Sequence, residues 1–128
     1  MIIQGFISTD KGPVDIKELK AGDRVLNQMH RAHTVIAIET EEVSGGFTFK
    51  KNPSLIVAKK TAVRTLYGAV SLTGTKKKSL TMVQPNMREV RDTAVPVSGS
   101  FTAYRLTVDG GDAVYASNYC VELEGKDA

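Results

Sequence analysis

Short runs of β-branched residues recur along the whole sequence, and this pattern is the strongest constraint on its fold. Valine, threonine and isoleucine supply 14, 12 and 7 of the 128 residues. Glycine, asparagine, aspartate and proline separate the runs, as they separate the strands of all-β domains. A chain of this length can bury a core without disulfides or metal, and it is too short for two ordinary domains. We therefore predict one all-β domain that spans residues 1–128.

Turn-forming residues place the ends of the predicted strands. Thr9–Pro13 closes a first hairpin, Ser44–Gly46 separates two strands, and Asp109–Asp112 forms a tight connection. The one candidate helix is Val14–Ala21, and the following Gly22 suits a left-handed helix C-cap. The predicted strands are Ile2–Ser8, Arg24–Leu26, Ala32–Glu42, Phe47–Lys50, Leu55–Ala58, Ala62–Thr65, Gly68–Ser71, Leu80–Gln84, Val90–Pro96, Tyr104–Val108 and Val114–Ala116.

Three features of the sequence indicate whether the chain is secreted, whether it spans a membrane and whether it can form a disulfide. The N-terminal stretch has few apolar residues and no basic lead-in, so we predict that it is not a signal peptide. No run approaches the roughly 18 apolar residues of a membrane span, so we predict no membrane partner. Cys120 is the one cysteine, which excludes an intramolecular disulfide. No histidine is near it in sequence, and we predict a buried structural thiol.

Three parts of the sequence resemble motifs of the Hint (hedgehog/intein) family. Near the start, Gly12–Val25 fits the pattern G-x-x-x-I-x-x-L-x-x-G-D-x-V. In the middle, Leu55–Thr65 resembles L-x-V-T-x-x-H-P-V-x-T. Near the end, Tyr104–Asp109 resembles Y-D-L-T-V-E, and Val114–Asn118 resembles the hairpin F-Y-A-N-G. The resemblance covers nearly the whole chain and implies a flattened horseshoe of short, mostly antiparallel strands with at most one short helix.

The same resemblance implies where the residues of peptide-bond chemistry would lie. Active family members begin with a Cys or Ser, whose side chain attacks the preceding carbonyl. The Thr and His of the middle motif polarise the scissile amide and protonate the leaving nitrogen. A later motif supplies another His, and splicing ends at a His-Asn pair. In this sequence the matching positions hold Met1 or Ile2, Ala58, Thr61, Asp112, Glu122 and Leu123.

None of these side chains can perform the family's catalytic role at its position. Because the sequence begins at Met1, we also expect no upstream segment to be transferred. The sequence therefore predicts a non-catalytic module rather than an enzyme, with no catalytic residue. A self-cleaving domain whose true first residue lies elsewhere is the alternative.

His30 and His33 are the two histidines, and their spacing could bring both to one face of a helix as metal ligands. Their surroundings instead predict turn and strand, and no cysteine or acidic cluster accompanies them. Asp10, Asp109 and Asp112 lie in predicted turns, with too few oxygen ligands in one loop for calcium. We therefore predict surface histidines and no metal or other cofactor.

Basic residues are in mild excess, with a formal net charge of +3. Such a charge permits nucleic-acid contact without requiring it. The sequence has no Trp, four Tyr and four Phe, so aromatic residues for stacking on single strands are few. We predict that the lysines are solvated, and a nucleic-acid-binding accessory protein is the alternative. The basic residues concerned are Lys59, Lys60, Lys76, Lys77, Lys78, Arg88 and Arg91.

Without catalytic residues, the module is predicted to act by binding or by building. A small β module of mixed charge suits an assembly component, and we predict a virion part: a phage head decoration, head–tail or tail-associated protein. Its partners would be other virion or assembly subunits or a second copy, and its location the virion or the host cytoplasm. Strand edges and loops would make the contacts. The predicted contact residues are Gly45, Gly46, Lys76, Lys77 and Lys78, with the end segments Ile2–Ser8 and Tyr119–Leu123.

Overall fold

The computed structural model describes residues 1–74 and 76–123, and within these ranges almost all regular structure is β-strand. Pro85–Met87 forms the one helical element described, a single 3₁₀ turn. No helix in these ranges is long and apolar enough to cross a membrane. The strands are β1 Ile2–Gln4, β2 Phe6–Thr9, β3 Gly12–Asp15, β4 Arg24–Leu26, β5 Ala32–Phe49, β6 Asn52–Val57, β7 Ala62–Thr65, β8 Gly68–Ser71, β9 Lys78–Val83, β10 Glu89–Val108, β11 Ala113–Ala116 and β12 Tyr119–Glu122.

The strands join into one curved sheet in which every described pairing is antiparallel. Its order is β11-β12-β7-β9-β10-β1-β6-β5-β4-β2-β3, with β8 added to β7. Two further pairings, β5 with β10 and β2 with β11, link distant parts of this order. Since Ala116 of β11 pairs with Ile7 of β2, the sheet curls back on itself. The prediction of an all-β fold is confirmed.

The predicted helix at Val14–Ala21 is wrong. Pro13 and Val14 belong to β3, which pairs with β2 in the first hairpin. After it the carbonyl of Asp15 accepts the N–H groups of Glu18 and Leu19, at 2.8 and 3.1 Å, which makes one tight turn. The hairpin leaves too few residues before the turn at Gly22 for a helix to nucleate and extend. Both apolar residues of the turn are nevertheless buried, Ile16 and Leu19.

The prediction that Ser44–Gly46 separates two strands is also wrong. β5 runs through these residues because β10 pairs with it on both sides, from Val35 opposite Val108 to Phe49 opposite Ala94. The register shifts between Val97 and Ser100, so the ribbon contains a β-bulge opposite Gly45. The positive φ of Gly45, 72°, lets the strand bend there without ending.

Both predicted docking segments at the chain ends lie inside the sheet. β1 is paired with β10 on one side and with β6 on the other. β12 lies between β11 and β7. Their backbone groups are therefore used within the domain, and neither strand offers a free edge to a partner. The pairings of β1 with β6 and β10, and of β12 with β7, join residues far apart in the chain, and no local pattern in the sequence reports them.

The core fills the inside of the curved sheet with branched aliphatic and aromatic side chains. These residues come from nearly every strand, so the core depends on the closure of the whole sheet. The largest fully buried side chains are Phe49, Ile7, Ile16, Leu55, Leu72, Met82, Val25, Val35, Val57, Val63, Val114 and Val121.

One buried carboxyl group ties three parts of the fold together. Asp92 of β10 is 4% exposed, and its Oδ1 accepts the backbone N–H groups of Lys51, at 3.0 Å, and Thr93, at 2.7 Å. Its Oδ2 accepts the hydroxyl of Tyr119. The ring of Tyr119 in turn packs edge-on against Phe49, with 5.2 Å between ring centroids. The β5–β6 turn, β10 and β12 are thereby joined at one point.

Candidate functional site

The main chain of Met1 is seated on the turn between β6 and β7. Its carbonyl oxygen accepts the N–H of Ala58 and the hydroxyl of Thr61, both at 3.0 Å. Its amino group lies 3.2 Å from the same hydroxyl. A further bond, from Thr61 N–H to the Ala58 carbonyl at 3.1 Å, closes the turn. The fold thus brings the first residue to the two middle-motif positions that the Hint resemblance implied.

β12 pairs with the strand that follows this turn. Val121 of β12 pairs with Val63 of β7. Beyond the end of β12, the Leu123 N–H donates to the Asp112 carbonyl at 2.8 Å. Two of the positions that resemble the later motifs are therefore joined to each other.

Glu122 is held in a two-pronged ion pair rather than left free beside the site. Arg64 Nε lies 2.9 Å from Glu122 Oε1, and the Arg64 terminal nitrogen Nη2 lies 3.4 Å from Oε2. Both side chains are partly buried, so solvent screens the pair only in part. Burial opposes the charge on Arg64, but the bonds and charge of Glu122 outweigh it, and the pKa of the guanidinium is raised. The pair fastens β12 to β7.

Three residues meet at the Met1 turn, and each has a different side chain. They carry a thioether, a methyl group and the buried hydroxyl of Thr61, which is bound to the Met1 main chain. The histidines lie in other contacts. His33 Nδ1 is 3.3 Å from Asp109 Oδ1, and the ring of His30 stacks at 5.2 Å on Tyr115. In residues 1–74 and 76–123, no three His, Cys, Asp or Glu side chains converge as metal ligands.

Cys120 is buried, as predicted, with 1% of its surface exposed. Burial raises the pKa of its thiol from 9.0 to about 11, while Arg64 opposes the rise. A thiol with so high a pKa is protonated near neutral pH and is a poor nucleophile. Burial also raises the pKa of two neighbouring phenols, Tyr115 and Tyr119.

We expect the free energy of unfolding to fall by about 2 kcal/mol between pH 9 and pH 11 because of Cys120. The unfolded thiol loses its proton near pH 9.0, whereas the folded thiol keeps it up to about pH 11. The contribution of this group is therefore complete below pH 9 and is lost as the pH rises through 11. Urea unfolding at several pH values measures it.

The control for this pH dependence is Cys120→Ala, which removes the thiol but leaves both tyrosines. Between about pH 8 and pH 10 the variant should lose less stability than the parent, because the phenols titrate only at higher pH. Equal losses in the two proteins would contradict the assignment to Cys120.

Two of the predicted contact residues line a cavity of about 410 Å³. Gly45 and Gly46 form part of its wall, and both are buried strand residues rather than loop residues. Lys76, Lys77 and Lys78 are exposed, and their segment follows Gly74, which also lines the cavity. The sequence did not predict that Lys59 lines this cavity together with Gly45 and Gly46. The position of Lys59 in the middle motif, directly after Ala58, was the signal that could have indicated it. The cavity is lined by Ser44, Gly45, Gly46, Phe47, Lys59, Gly74, Pro96, Val97, Ser98 and Gly99.

The two arginines of the predicted basic set lie elsewhere. Arg88 is in the turn of the β9–β10 hairpin, where its carbonyl accepts the Gln84 N–H at 2.8 Å. Arg91 pairs with Thr81, whereas Lys78, at the other end of the hairpin, pairs with Ala94. The five residue steps from Lys78 to Val83, which pairs with Glu89, correspond to roughly 17 Å of strand. Arg88 therefore lies at the far end of the hairpin from Lys78, whereas Arg91, opposite Thr81, is roughly 10 Å from it along the strand.

Comparison with known proteins identifies the fold. No protein-family model matches the chain, and no curated protein matches it by sequence. Among solved structures, the gp41-1 intein superposes with a TM-score of 0.72 at 14% identity, covering 95% of each chain. The Ssp DnaB mini-intein variant M86 gives 0.72 at 16% identity, covering 98% of this chain and 95% of that one. An intein-like domain from Clostridium thermocellum gives 0.72 at 16% identity, with 96% and 98% covered. The chain therefore has the fold of inteins and intein-like domains, as the resemblance to the Hint family implied.

Proposed function

We propose that the chain is a non-catalytic Hint-type module that acts by binding other proteins, as a subunit of a larger assembly such as a virion. One observation carries the proposal. The positions that resemble the first residue and the middle motif of active family members meet around the Met1 main chain, and they present Met1, Ala58 and Thr61. Their side chains include no thiol or imidazole, so the attacking thiol and the general acid of active members are not supplied there, and Leu123 stands in the sequence where the cyclising Asn would be.

The contacts of the site further support a structural use of these residues. The hydroxyl of Thr61 is hydrogen-bonded to the Met1 main chain, and these bonds anchor the first strand. Glu122, at the position of the final His, forms the ion pair with Arg64 that fastens β12. Each of these residues therefore has a role in holding the sheet closed, which a binding scaffold needs and which requires no chemistry.

A fusion experiment tests the absence of catalysis. A reporter domain is joined upstream of Met1 and another downstream of Ala128, and the fusion is incubated with and without a thiol. We expect the intact mass under both conditions, because the site lacks an activated nucleophile. A cleaved or spliced product would disprove the proposal. The same fusion with Thr61→Val then tells whether the Thr61 hydroxyl is the attacking group.

Native mass measurement tests the binding role. The chain is isolated from its source under mild conditions and its assemblies are weighed. The proposal predicts complexes that contain the chain together with other protein subunits. Recovery as a lone monomer would count against it, and recovery with nucleic acid alone would favour the accessory-protein alternative.

A further inference from the structure

The cavity at the β5–β10 bulge is lined by one positive charge among the residues that the structure describes. This is Lys59, an exposed lysine, and no acidic residue of the described ranges lines the cavity. Within the same ranges, no carboxylate forms an ion pair with Lys59. The nearest acidic residue along β5 is Glu42, whose carboxylate accepts the Thr102 hydroxyl at 2.7 Å. No carboxylate of the described residues therefore neutralises the ammonium group at the cavity.

The side chain of Lys59 lies against β5 at Gly45, where the glycine has no side chain to exclude it. A Cβ added to Gly45 would lie 2.6 Å from Cε of Lys59 and 3.2 Å from its Nζ. The aliphatic stem of the lysine thus lies across the bare backbone of β5, with the ammonium group beside the cavity. This close approach holds part of a long, flexible side chain at the cavity wall, which reduces the entropy lost when the lysine binds a ligand.

Three further lysines lie close in sequence to lining residues of the cavity. Gly74 lines the cavity, and Lys76, Lys77 and Lys78, all exposed, follow shortly after it. Lys78 pairs with Ala94, two residues before Pro96, which also lines the cavity. The three lysines are not among the described lining residues, and they contribute only through their positive charge, which raises the local concentration of an approaching anion.

We propose that this cavity binds an aspartate or glutamate side chain from an extended acidic segment of a partner protein, with Lys59 as the group that receives the carboxylate. The inference rests on the proposed binding function and names the chemistry of the partner. The volume of the cavity lies within the range of about 300–1,000 Å³ that is usual for ligand pockets. An ammonium and a carboxylate form charge-assisted hydrogen bonds, which are stronger than neutral ones.

Two features favour an acidic peptide over a nucleic acid. The one aromatic residue in the lining, Phe47, is buried, so it offers no face on which a base could stack. Arg88, which a phosphate backbone would need as a further contact, lies in the turn of the β9–β10 hairpin, at the end away from Lys78.

The test is the binding of a fluorescent peptide of alternating Glu and Gly, with a Gln-Gly peptide of equal length for comparison. Anisotropy titrations with the full chain should show binding of the Glu peptide only. Lys59→Met keeps the aliphatic stem but removes the charge, and we expect it to weaken binding about 10-fold or more. Lys60→Met is the matched control, because Lys60 is the next residue and is exposed like Lys59 but does not line the cavity, and its effect should stay within about 3-fold. Melting temperatures confirm that both variants are folded.

Each remaining outcome contradicts the proposal. Equal losses for Lys59→Met and Lys60→Met would mean that the peptide senses only net charge. Tighter binding of a single-stranded oligonucleotide of equal charge, weakened by Lys59→Met, would assign the cavity to nucleic acid. A dimer of the chain that dissociates on Lys59→Met would identify a second copy as the occupant. If the peptide does not bind but native assemblies are still recovered, this inference is wrong and the proposed binding function stands. If the fusion is cleaved, the proposed non-catalytic function is wrong, and the peptide-binding result is unaffected.

Discussion

Replacing Gly46 with alanine is expected to destabilise the protein by about 3 kcal/mol, which corresponds to a fall in melting temperature of roughly 10 °C. The added Cβ would lie 2.4 Å from the carbonyl oxygen of Val57 and 3.1 Å from Cδ1 of Ile3. The first of these atoms belongs to the backbone and cannot rotate away. Pairing also fixes β5 on both sides of the contact, through Phe47 with Val57 and through Gly46 with Val97. The methyl group therefore forces two strands of the sheet apart.

Gly110→Ala is the matched control for this substitution. Its added Cβ would lie 2.7 Å from the His33 ring, a comparably short contact, but the side chain of His33 is 27% exposed and can turn toward solvent. Neither glycine has a positive φ, so backbone strain does not separate the two cases. We expect a loss of less than about 1 kcal/mol. Denaturant unfolding of both variants measures the difference, and equal losses would show that the backbone contact at Gly46 yields easily.

Asp92→Ala is expected to cost about 3 kcal/mol. The substitution leaves the Lys51 and Thr93 N–H groups and the Tyr119 hydroxyl without their acceptor. Buried donors that lose their partner suffer the full cost of desolvation, about 1–3 kcal/mol each when no water replaces the acceptor. Because these donors come from three separate parts of the chain, the loss loosens the β5–β6 turn, β10 and β12 together. Thermal and urea unfolding give the size of the effect.

Two further variants separate the contributions of the Asp92 bonds. Asp92→Asn keeps an oxygen for the two N–H groups, and it should cost about 1 kcal/mol. Tyr119→Phe removes the hydroxyl alone, and in combination with Asp92→Ala its effect should be strongly reduced, with a coupling of about 1 kcal/mol or more. Additive losses, or a cost of Asp92→Ala below about 1 kcal/mol, would mean that water replaces the carboxyl group.

Sequence reasoning was most accurate where the structure is local. The bounds predicted for three strands, Arg24–Leu26, Ala62–Thr65 and Gly68–Ser71, are those observed. The hairpin turn at Thr9–Pro13 and the connection at Asp109–Asp112 also lie where turn residues placed them. Turn chemistry and the two-residue period act over a few neighbouring residues, so the sequence reports them directly.

The site was predictable only in part. The motif resemblance placed Met1, Ala58 and Thr61 in one group, and the hydrogen bonds among them agree with it. The buried role of Asp92 was not predictable, because an acidic residue in a strand is usually exposed. The contact of Lys59 with Gly45 was equally hidden, since it depends on how two strands approach each other.

The sequence by itself determined that the chain forms short strands separated by turns and which residues are apolar enough for a core. The motif resemblance added the prediction that the catalytic side chains of the Hint family are replaced at their positions. The tertiary structure decided that Ser44–Gly46 continues a strand, that the end strands are inner strands, and that Lys59 lies against Gly45 at one cavity. The physical reason is the same in each case. These features arise from pairing between residues far apart in the chain, such as Met1 with Thr61 and Asp92 with Tyr119, and such pairing is selected by closure of the whole sheet rather than by local preference.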